Sequence, residues 1–109
     1  MDCVADTVYY ESRGEGIEGM RAVAHVIYNR SEKEGKHPCI IVRQPKQFAT
    51  GPSRPRDKLW QLAKRVVMNP GPDLTRGATY FHNRSVSPYW IRRMVVTFQF
   101  GGHIFYKPR

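Results

Sequence analysis

The sequence predicts a single α+β domain, mainly helical, with a small antiparallel sheet near the C-terminus. Apolar residues recur with helical spacing in residues 2–13 and 17–31, and again after Asp57. Two alternating apolar runs then flank a Gly-Gly pair at 101–102, which is the pattern of a β-hairpin. A chain of 109 residues can enclose one core but not two. Residues 1–109 are therefore expected to form one domain.

The first predicted helix carries an apolar stripe that ends in a carboxylate. Val4, Val8 and Glu11 recur at i, i+4 and i+7, so they share one face. A carboxylate that continues a buried face is desolvated, and we expect the pKa of Glu11 to be raised. Most glutamates near helix ends are simply solvated, so the period alone does not make Glu11 functional.

The second predicted helix, residues 17–31, should be central and largely buried, because its apolar face is wide. The apolar positions are Ile17, Met20, Ala22, Val23, Ala24, Val26 and Ile27. Gly14, Gly16 and Gly19 are expected to supply the backbone freedom of a tight junction between the two helices.

Residues 31–55 are predicted to form a long ordered loop, because glycines and prolines interrupt every run. Only the apolar segment 39–42 is expected to be buried. Loops of this length inside a compact domain are often functional. Gln47 and Phe48 set an amide beside an aromatic ring in this loop, a pair suited to holding a polar ring.

The C-terminal half is predicted to be one helix followed by the sheet. Asp57 is the expected N-cap of that helix, and Asn-Pro-Gly-Pro at 69–72 ends it. A short aromatic strand at 78–83 and one helical turn at 87–90 follow. The hairpin comes last, with strands within 95–106.

The net charge of +9, from 18 Lys and Arg against 9 Asp and Glu, favours a polyanionic partner. Nucleic acid, an anionic membrane surface and a bacterial wall polymer all fit that description. No apolar run approaches the roughly 18 residues of a membrane span, and the first residues lack the features of a signal peptide.

Cys3 and Cys39 are the two cysteines, and they lack CxxC spacing. Two cysteines do not make a disulfide framework, so the simpler interpretation is a pair of reduced, buried thiols, which favours a reducing compartment. Whether Cys3 and Cys39 approach each other stays open at this point.

Several kinds of site are disfavoured by the residue pattern. No HExxH, paired Cys/His spacing or phosphate-binding loop occurs, so we expect neither metal nor cofactor. No Gly-x-Ser-x-Gly nucleophile elbow is present. Basic residues interleaved with aromatics would suit nucleic-acid binding. However, most of those aromatics fall at alternating strand positions, where core packing explains them, and no nucleic-acid-binding signature occurs.

Carboxylate chemistry remains. Cleavage of a glycosidic bond needs a general acid and, in most schemes, a second carboxylate. Glu11 is the candidate acid, and Glu15, Glu18, Asp57 and Asp73 are the possible partners. A scheme with one carboxylate also works if a hydroxyl of the substrate is the nucleophile.

The motifs resemble those of the SleB-like cell wall hydrolase family, which includes spore cortex-lytic enzymes and similar lysins of bacteriophages. Residues 5–30, with Tyr-Glu-Ser-Arg-Gly-Glu at 10–15, resemble the opening of that family. The likeness continues through Gln-Phe at 47–48 and Tyr-Phe-His-Asn at 80–83. It closes with Gly-His-Ile-Phe-Tyr at 102–106.

This resemblance implies a lysozyme-like domain that cleaves peptidoglycan strands between N-acetylmuramic acid and N-acetylglucosamine, as a lytic transglycosylase. It implies that Glu11 is the catalytic acid. The residues expected to bind the substrate are Ser12, Glu15, Gln47, Phe48, Tyr80, His82 and Asn83. A phage endolysin would be made in the bacterial cytoplasm and act on the wall as a monomer.

Two alternatives stay open. One is a hydrolytic muramidase or glucosaminidase on the same substrate, with Glu15 or Asp57 as the helper carboxylate. The other is a basic module that binds the wall or nucleic acid without catalysis. In the first alternative the protein still cleaves peptidoglycan, whereas in the second it is not an enzyme.

Overall fold

The computed structural model describes residues 2–12, 14–44, 47–48 and 57–109 and confirms the α+β prediction. Its helices are α1 (Asp2–Ser12), α2 (Gly16–Glu34), α3 (Pro38–Ile41) and α4 (Lys58–Met68), and a 3-10 turn spans Tyr89–Arg93. Its strands are β1 (Tyr80–Asn83), β2 (Met94–Phe100) and β3 (His103–Pro108). No helix in the described part of the chain is long and apolar enough to cross a membrane.

The junction between α1 and α2 depends on two glycines with positive φ. Gly14 has φ 88° and Gly16 has φ 73°, conformations that other L-residues rarely adopt. The predicted role of Gly19 at this junction is wrong, because Gly19 lies inside α2 and is buried there. The helix also extends beyond the predicted end at residue 31. Gly35, in the left-handed conformation, terminates it by donating its N–H to Ser31.

Helix α4 begins and ends where the sequence predicts. The Asp57 carboxylate accepts a hydrogen bond from the Trp60 backbone N–H at 2.8 Å, which satisfies one of the free donors of the first turn. Met68 is the last helical residue, directly before the segment at 69–72. Trp60, Ala63, Val66 and Val67 are the buried residues of this helix.

The predicted loop at 31–55 contains a short helix that the sequence analysis missed. Residues 31–34 still belong to α2, and α3 follows at Pro38–Ile41. Pro38 begins α3, and the His37 ring accepts a hydrogen bond from the Cys39 N–H at 3.0 Å. Residues 45–46 and 49–55 of this predicted loop lie outside the described part of the chain.

The expectation of reduced thiols is wrong in this structure, because Cys3 and Cys39 form a disulfide. Their Cα atoms lie 5.7 Å apart, and 36 positions of sequence separate them. The bond joins the first turn of α1 to α3. Since the chain between the two cysteines includes all of α2, the disulfide encloses the α1–α2 pair in a covalent loop.

A hydrogen-bonded turn at residues 73–78 leads from the helices into the sheet. The Asp73 carboxylate accepts bonds from the Thr75 N–H, the Thr75 hydroxyl and the Gly77 N–H. Asn29 of α2 donates to Asp73 at 3.0 Å and to the Ala78 carbonyl at 2.9 Å. Burial raises the pKa of Asp73, but these hydrogen bonds outweigh burial and hold that pKa below its usual value.

The sheet has three antiparallel strands in the order β1-β3-β2. The predicted hairpin is β2–β3, turning at Gly101 and Gly102, and β1 pairs with the other edge of β3. In this register Phe81 lies opposite Phe105, and Asn83 lies opposite His103. A register shift between Val96 and Phe98 marks a bulge in β2.

The core is formed mainly by the helical region, which we define as residues 2–73. The predicted central position of α2 is confirmed by its buried face, although Ile17 is 44% exposed and does not belong to that face. The sheet region, residues 74–109, adds Ala78, Phe105 and Tyr106 to the buried apolar residues. Phe105 stacks on Phe81, so the predicted packing role of the strand aromatics is confirmed there.

Candidate active site

Glu11 lies in the last turn of α1, at the point where the buried face of this helix reaches the surface. Val4 and Val8, on the same face, are fully buried, whereas Glu11 is partly exposed. This agrees with the predicted stripe that ends in a carboxylate. Its acid role stays a prediction.

Ser12 follows Glu11 and is completely buried. Its hydroxyl donates a hydrogen bond to the Val8 carbonyl, one turn back in α1. Helical serines often bond in this way to the carbonyl four residues back, and such a bond can bend the helix slightly. Ser12 therefore shapes the end of α1, and its predicted contact with substrate stays a prediction.

Glu15 connects the junction between α1 and α2, which we call the helical corner, to the sheet. Its Oε1 atom accepts a hydrogen bond from the Gly102 N–H at 2.9 Å and lies 3.7 Å from the His103 Nδ1. The backbone N–H of Glu15 donates to the Ser12 carbonyl, so its position is fixed from both sides. The carboxylate thus extends from the start of α2 into the turn between β2 and β3.

Two glycines provide the space that the Glu15 side chain occupies. A Cβ atom on Gly19 would lie 2.3 Å from the Cβ of Glu15, closer than two carbon atoms can approach. A Cβ atom on Gly101 would lie 1.8 Å from the Glu15 Oε2. Gly101 also has φ 55°, so this turn requires glycine for conformation as well as for space.

His103 faces Glu15 and is buried, with 7% of its surface exposed. Burial lowers the pKa of His103, the Glu15 charge raises it and His82 lowers it, and the net direction is downward. The ring packs edge-on against Phe81, with 5.2 Å between the two centroids. The uncharged imidazole is therefore favoured at neutral pH.

A cavity of about 200 Å³, which we call the aromatic cavity, lies against the other end of α2. It is lined by Val26, Arg30, Gln47, Phe48, Tyr80, Phe81, His82, Pro88 and Trp90. Four of the predicted substrate-binding residues therefore lie together, although they come from two distant segments. Among the described residues, its lining does not include Glu11, Ser12, Glu15 or Asn83.

Arg30 is a buried cation in this lining that the sequence analysis missed. Its guanidinium donates to the Gln47 Oε1 at 3.1 Å and lies 4.8 Å from the Tyr80 ring centroid and 5.5 Å from that of Phe48. Glu34 approaches its Nε at 3.7 Å. A usable signal was present in the sequence, because Arg30 continues the apolar face of α2 four residues after Val26.

His82 has a hydrogen-bond partner at each ring nitrogen. Its Nδ1 lies 2.8 Å from the Asn83 carbonyl, which can only accept, so Nδ1 donates there. Its Nε2 lies 2.8 Å from the Tyr106 hydroxyl, which can donate to a neutral ring. Burial raises the pKa of Tyr106, which keeps this hydroxyl protonated as a donor.

Trp90 forms one wall of the aromatic cavity, and it too was missed as a site residue. Its ring lies 5.4 Å from that of Tyr80 and 5.7 Å from that of His82. Asn83 lies at the opposite end of β1, where its side-chain oxygen accepts from the Ser85 N–H. The predicted residues thus fall into two groups, one at the helical corner and one in the aromatic cavity.

No group of three or more His, Cys, Asp or Glu in residues 2–12, 14–44, 47–48 and 57–109 could hold a metal ion. What the described arrangement offers is carboxylate chemistry at the corner and a polar, aromatic-walled cavity.

Comparison with known proteins gives one family and two solved structures. The family model described as Cell Wall Hydrolase matches residues 14–106. The catalytic domain of the Bacillus cereus SleB protein is 29% identical, with a TM-score of 0.78 over 97% of this chain and 88% of that chain. The catalytic domain of the germination-specific lytic transglycosylase SleB from Bacillus anthracis is also 29% identical, with a TM-score of 0.81 over 97% and 92%. Among curated proteins, none has a sequence that matches this chain.

Proposed function

Since this chain belongs to the cell wall hydrolase family, we propose that it cleaves the glycan strands of bacterial peptidoglycan as a lytic transglycosylase. The proposal rests on the similarity of nearly the whole chain to the catalytic domain of a germination-specific lytic transglycosylase. The same similarity confirms the predicted lysozyme-like fold. The bond proposed to break joins N-acetylmuramic acid to N-acetylglucosamine.

Glu11 is the proposed acid. In its protonated form it donates a proton to the glycosidic oxygen, and the bond from that oxygen to the anomeric carbon of muramic acid breaks. The C6 hydroxyl of the same muramic residue then attacks the anomeric carbon. Glu11, now ionised, takes the hydroxyl proton, so the products are an anhydro-muramic end and a free N-acetylglucosamine end. No water is consumed in this scheme.

The positions of the other carboxylates favour a scheme with one acid. Glu15 accepts a backbone N–H in the β2–β3 turn and lies beside His103. Asp57, the second candidate helper, accepts the Trp60 N–H as the cap of α4. Both carboxylates that could assist hydrolysis by water therefore already accept hydrogen bonds from backbone N–H groups.

The aromatic cavity is the proposed sugar site. Tyr80 and Trp90 line it with aromatic rings, and Gln47 and His82 provide the polar groups that a hexosamine needs. Binding by ring stacking with a few polar contacts is the usual composition of a small-molecule site. Ser12, Glu15 and Asn83 are retained as proposed contacts outside this cavity.

The test is digestion of purified peptidoglycan with the wild type and Glu11→Gln, followed by mass spectrometry of the fragments. We expect anhydro-muramic ends from the wild type, and a loss of at least about 10³-fold in the variant, because the acid is removed while the shape is kept. Glu32→Gln, on the exposed side of α2, is the matched control and should cleave normally.

Each other product would contradict a different part of the proposal. Reducing muramic ends would mean that water is the nucleophile. Free stem peptides with intact glycan would mean an amidase. Full activity in Glu11→Gln would remove Glu11 from the mechanism, and binding without any product would mean a non-catalytic wall-binding module.

We also propose that the protein acts at the wall as a monomer, in the manner of a phage endolysin. Sedimentation equilibrium at assay concentration tests the monomeric state, because a dimer would appear at twice the mass of 12.7 kDa. Loss of turbidity after the protein is added to a suspension of wall fragments tests the action at the wall.

A further inference from the structure

The charges of this protein are divided unequally between its two regions. None of the nine Asp and Glu residues lies in the sheet region, residues 74–109, although six of the 18 Lys and Arg residues do. Apart from the Glu15 carboxylate, which enters the β2–β3 turn from the corner, the sheet region therefore has no acidic side chain of its own. Its surface attracts anions more strongly than that of the helical region.

A second cavity lies on this positive surface, next to the aromatic cavity. It measures about 590 Å³ and is lined by Tyr89, Trp90, Arg92, Arg93 and Met94. We call it the arginine cavity. All of its lining residues come from the 3-10 turn and the first position of β2. Trp90 lines both cavities, so the two lie side by side.

Two features of the arginine cavity indicate binding rather than packing. Tyr89 is 90% exposed, so its ring contributes almost nothing to the core. Arg92 and Arg93 are also exposed, and no acidic side chain among the described residues pairs with either guanidinium. Two adjacent guanidinium groups beside an aromatic ring are well suited to carboxylates, which arginine binds through two parallel hydrogen bonds.

We propose that the arginine cavity binds the carboxylates of the acidic peptide branch of peptidoglycan, and this inference rests on the proposed function. Because Trp90 lines both cavities, a group in the arginine cavity lies near a sugar held in the aromatic cavity. The peptide branch of peptidoglycan is attached to the muramic ring itself, whereas a separate anionic polymer would carry no such constraint.

The test compares the binding of two polymers, intact peptidoglycan and glycan strands from which an amidase has removed the peptides. Binding is measured by co-sedimentation in the Glu11→Gln background, so that the polymer is not cut. We expect the parent to bind intact peptidoglycan more tightly, and Arg92→Ala/Arg93→Ala to reduce this preference about tenfold, since charge-assisted hydrogen bonds are lost.

The matched control is Lys58→Ala/Arg65→Ala, which removes the same two charges from an exposed site on α4. It should keep the preference of the parent. An equal loss in both double variants would overturn the proposal, because net charge alone would then explain the effect. A loss that is the same on both polymers would also overturn it.

Phosphate polymers are the alternative source of negative charge. Walls extracted with hydrofluoric acid lack them, so an arginine effect that disappears after this extraction would assign the cavity to phosphate and overturn the peptide assignment. Failure of the proposed function would be recognised separately, because the wild type would then release no glycan fragment from either polymer.

Discussion

The helical region and the sheet region hold their structure in different ways. The helical region contains most of the buried apolar residues and a disulfide, and its helices pack directly on one another. The sheet region is a thin layer of three strands, rich in aromatic and cationic side chains. It is joined to the helices partly through a few polar contacts, of which Glu15 to Gly102 and Asn29 to the Ala78 carbonyl are two. The helical region provides most of the core and the proposed acid, and the sheet region provides most of the proposed recognition surface.

The two tryptophans allow this comparison to be measured directly. Trp60 is buried in the helical region, and its indole N–H donates to Asp6. Trp90 lies in the sheet region, at the aromatic cavity. In Trp60→Phe and Trp90→Phe variants, the remaining tryptophan reports the unfolding of one region at a time.

The largest effect on stability is expected from the disulfide. Cys3→Ser/Cys39→Ser should lower the free energy of unfolding by about 4 kcal/mol, the value for a loop of this length. Because the sheet region has little core of its own, both tryptophan signals should change in one transition. Denaturant titration measures this. Reduced wild type is the control and should match the variant, and a loss below about 1 kcal/mol would contradict the prediction.

A smaller loss is expected when the junction between the regions is disturbed. Gly101→Ala should destabilise the protein by about 2–3 kcal/mol, because alanine is strained at φ 55° and its Cβ meets the Glu15 carboxylate. The Trp90 signal should change at lower denaturant than the Trp60 signal.

Gly71→Ala is the matched control for this variant. Gly71 has φ 71° with open space around its Cβ position, so it should show the backbone strain alone, about 1–2 kcal/mol. In the Glu15→Ala background, Gly101→Ala should approach the Gly71→Ala value. Equal losses for Gly101→Ala and Gly71→Ala in the wild-type background would show that Glu15 does not restrict the turn.

A change in recognition with little change in stability is expected at Trp90. Trp90→Ala removes the wall of the aromatic cavity from a partly exposed position, so KM for peptidoglycan should rise about tenfold while kcat changes less. Leu74→Ala, an exposed residue of the same region, should leave both parameters unchanged. A fall in kcat with KM unchanged would instead place Trp90 with the chemistry.

The smallest expected effect is a pH dependence at the junction. The pKa of His103 is lowered in the folded state, so the unfolded chain binds a proton first and stability falls as the pH drops below about 6.5. Glu15→Gln removes the charge that raises the pKa of His103. The loss of stability between pH 7 and pH 5 should therefore be greater in Glu15→Gln than in Glu32→Gln. An identical pH dependence in the two variants would contradict this coupling.

The helical region was the more predictable of the two from sequence. Helical period, the Asp57 cap and the Pro-Gly-Pro stop act over a few residues, so they are visible in the chain. The position of Glu11 at the end of a buried stripe is local in the same way. The turn at Gly101 and Gly102 was predictable because glycine marks the change of chain direction.

The features that were missed depend on residues far apart in the chain. Two cysteines separated by 36 positions show no pairing in their spacing. Arg30 and Trp90 acquire their role only when α2, the segment at 47–48, β1 and the 3-10 turn converge on one cavity. Gly19 was assigned to the junction for its backbone freedom. Its real constraint is the nearby Glu15 side chain, and the two come close only once α2 is folded.

The space around Glu15 also has a consequence for how this sequence can vary. Gly19 and Gly101 lie 82 positions apart in the numbering, yet the same side chain excludes a Cβ at both. A lineage that replaces Gly101 must shorten or redirect the Glu15 side chain, and that step gives up the bond to Gly102. Gly19 is constrained differently, because it meets the Cβ of Glu15, which any residue other than glycine would also carry at position 15. Among relatives of this chain, Glu15 and Gly101 should therefore change together, whereas Gly19 should stay glycine whatever side chain stands at position 15.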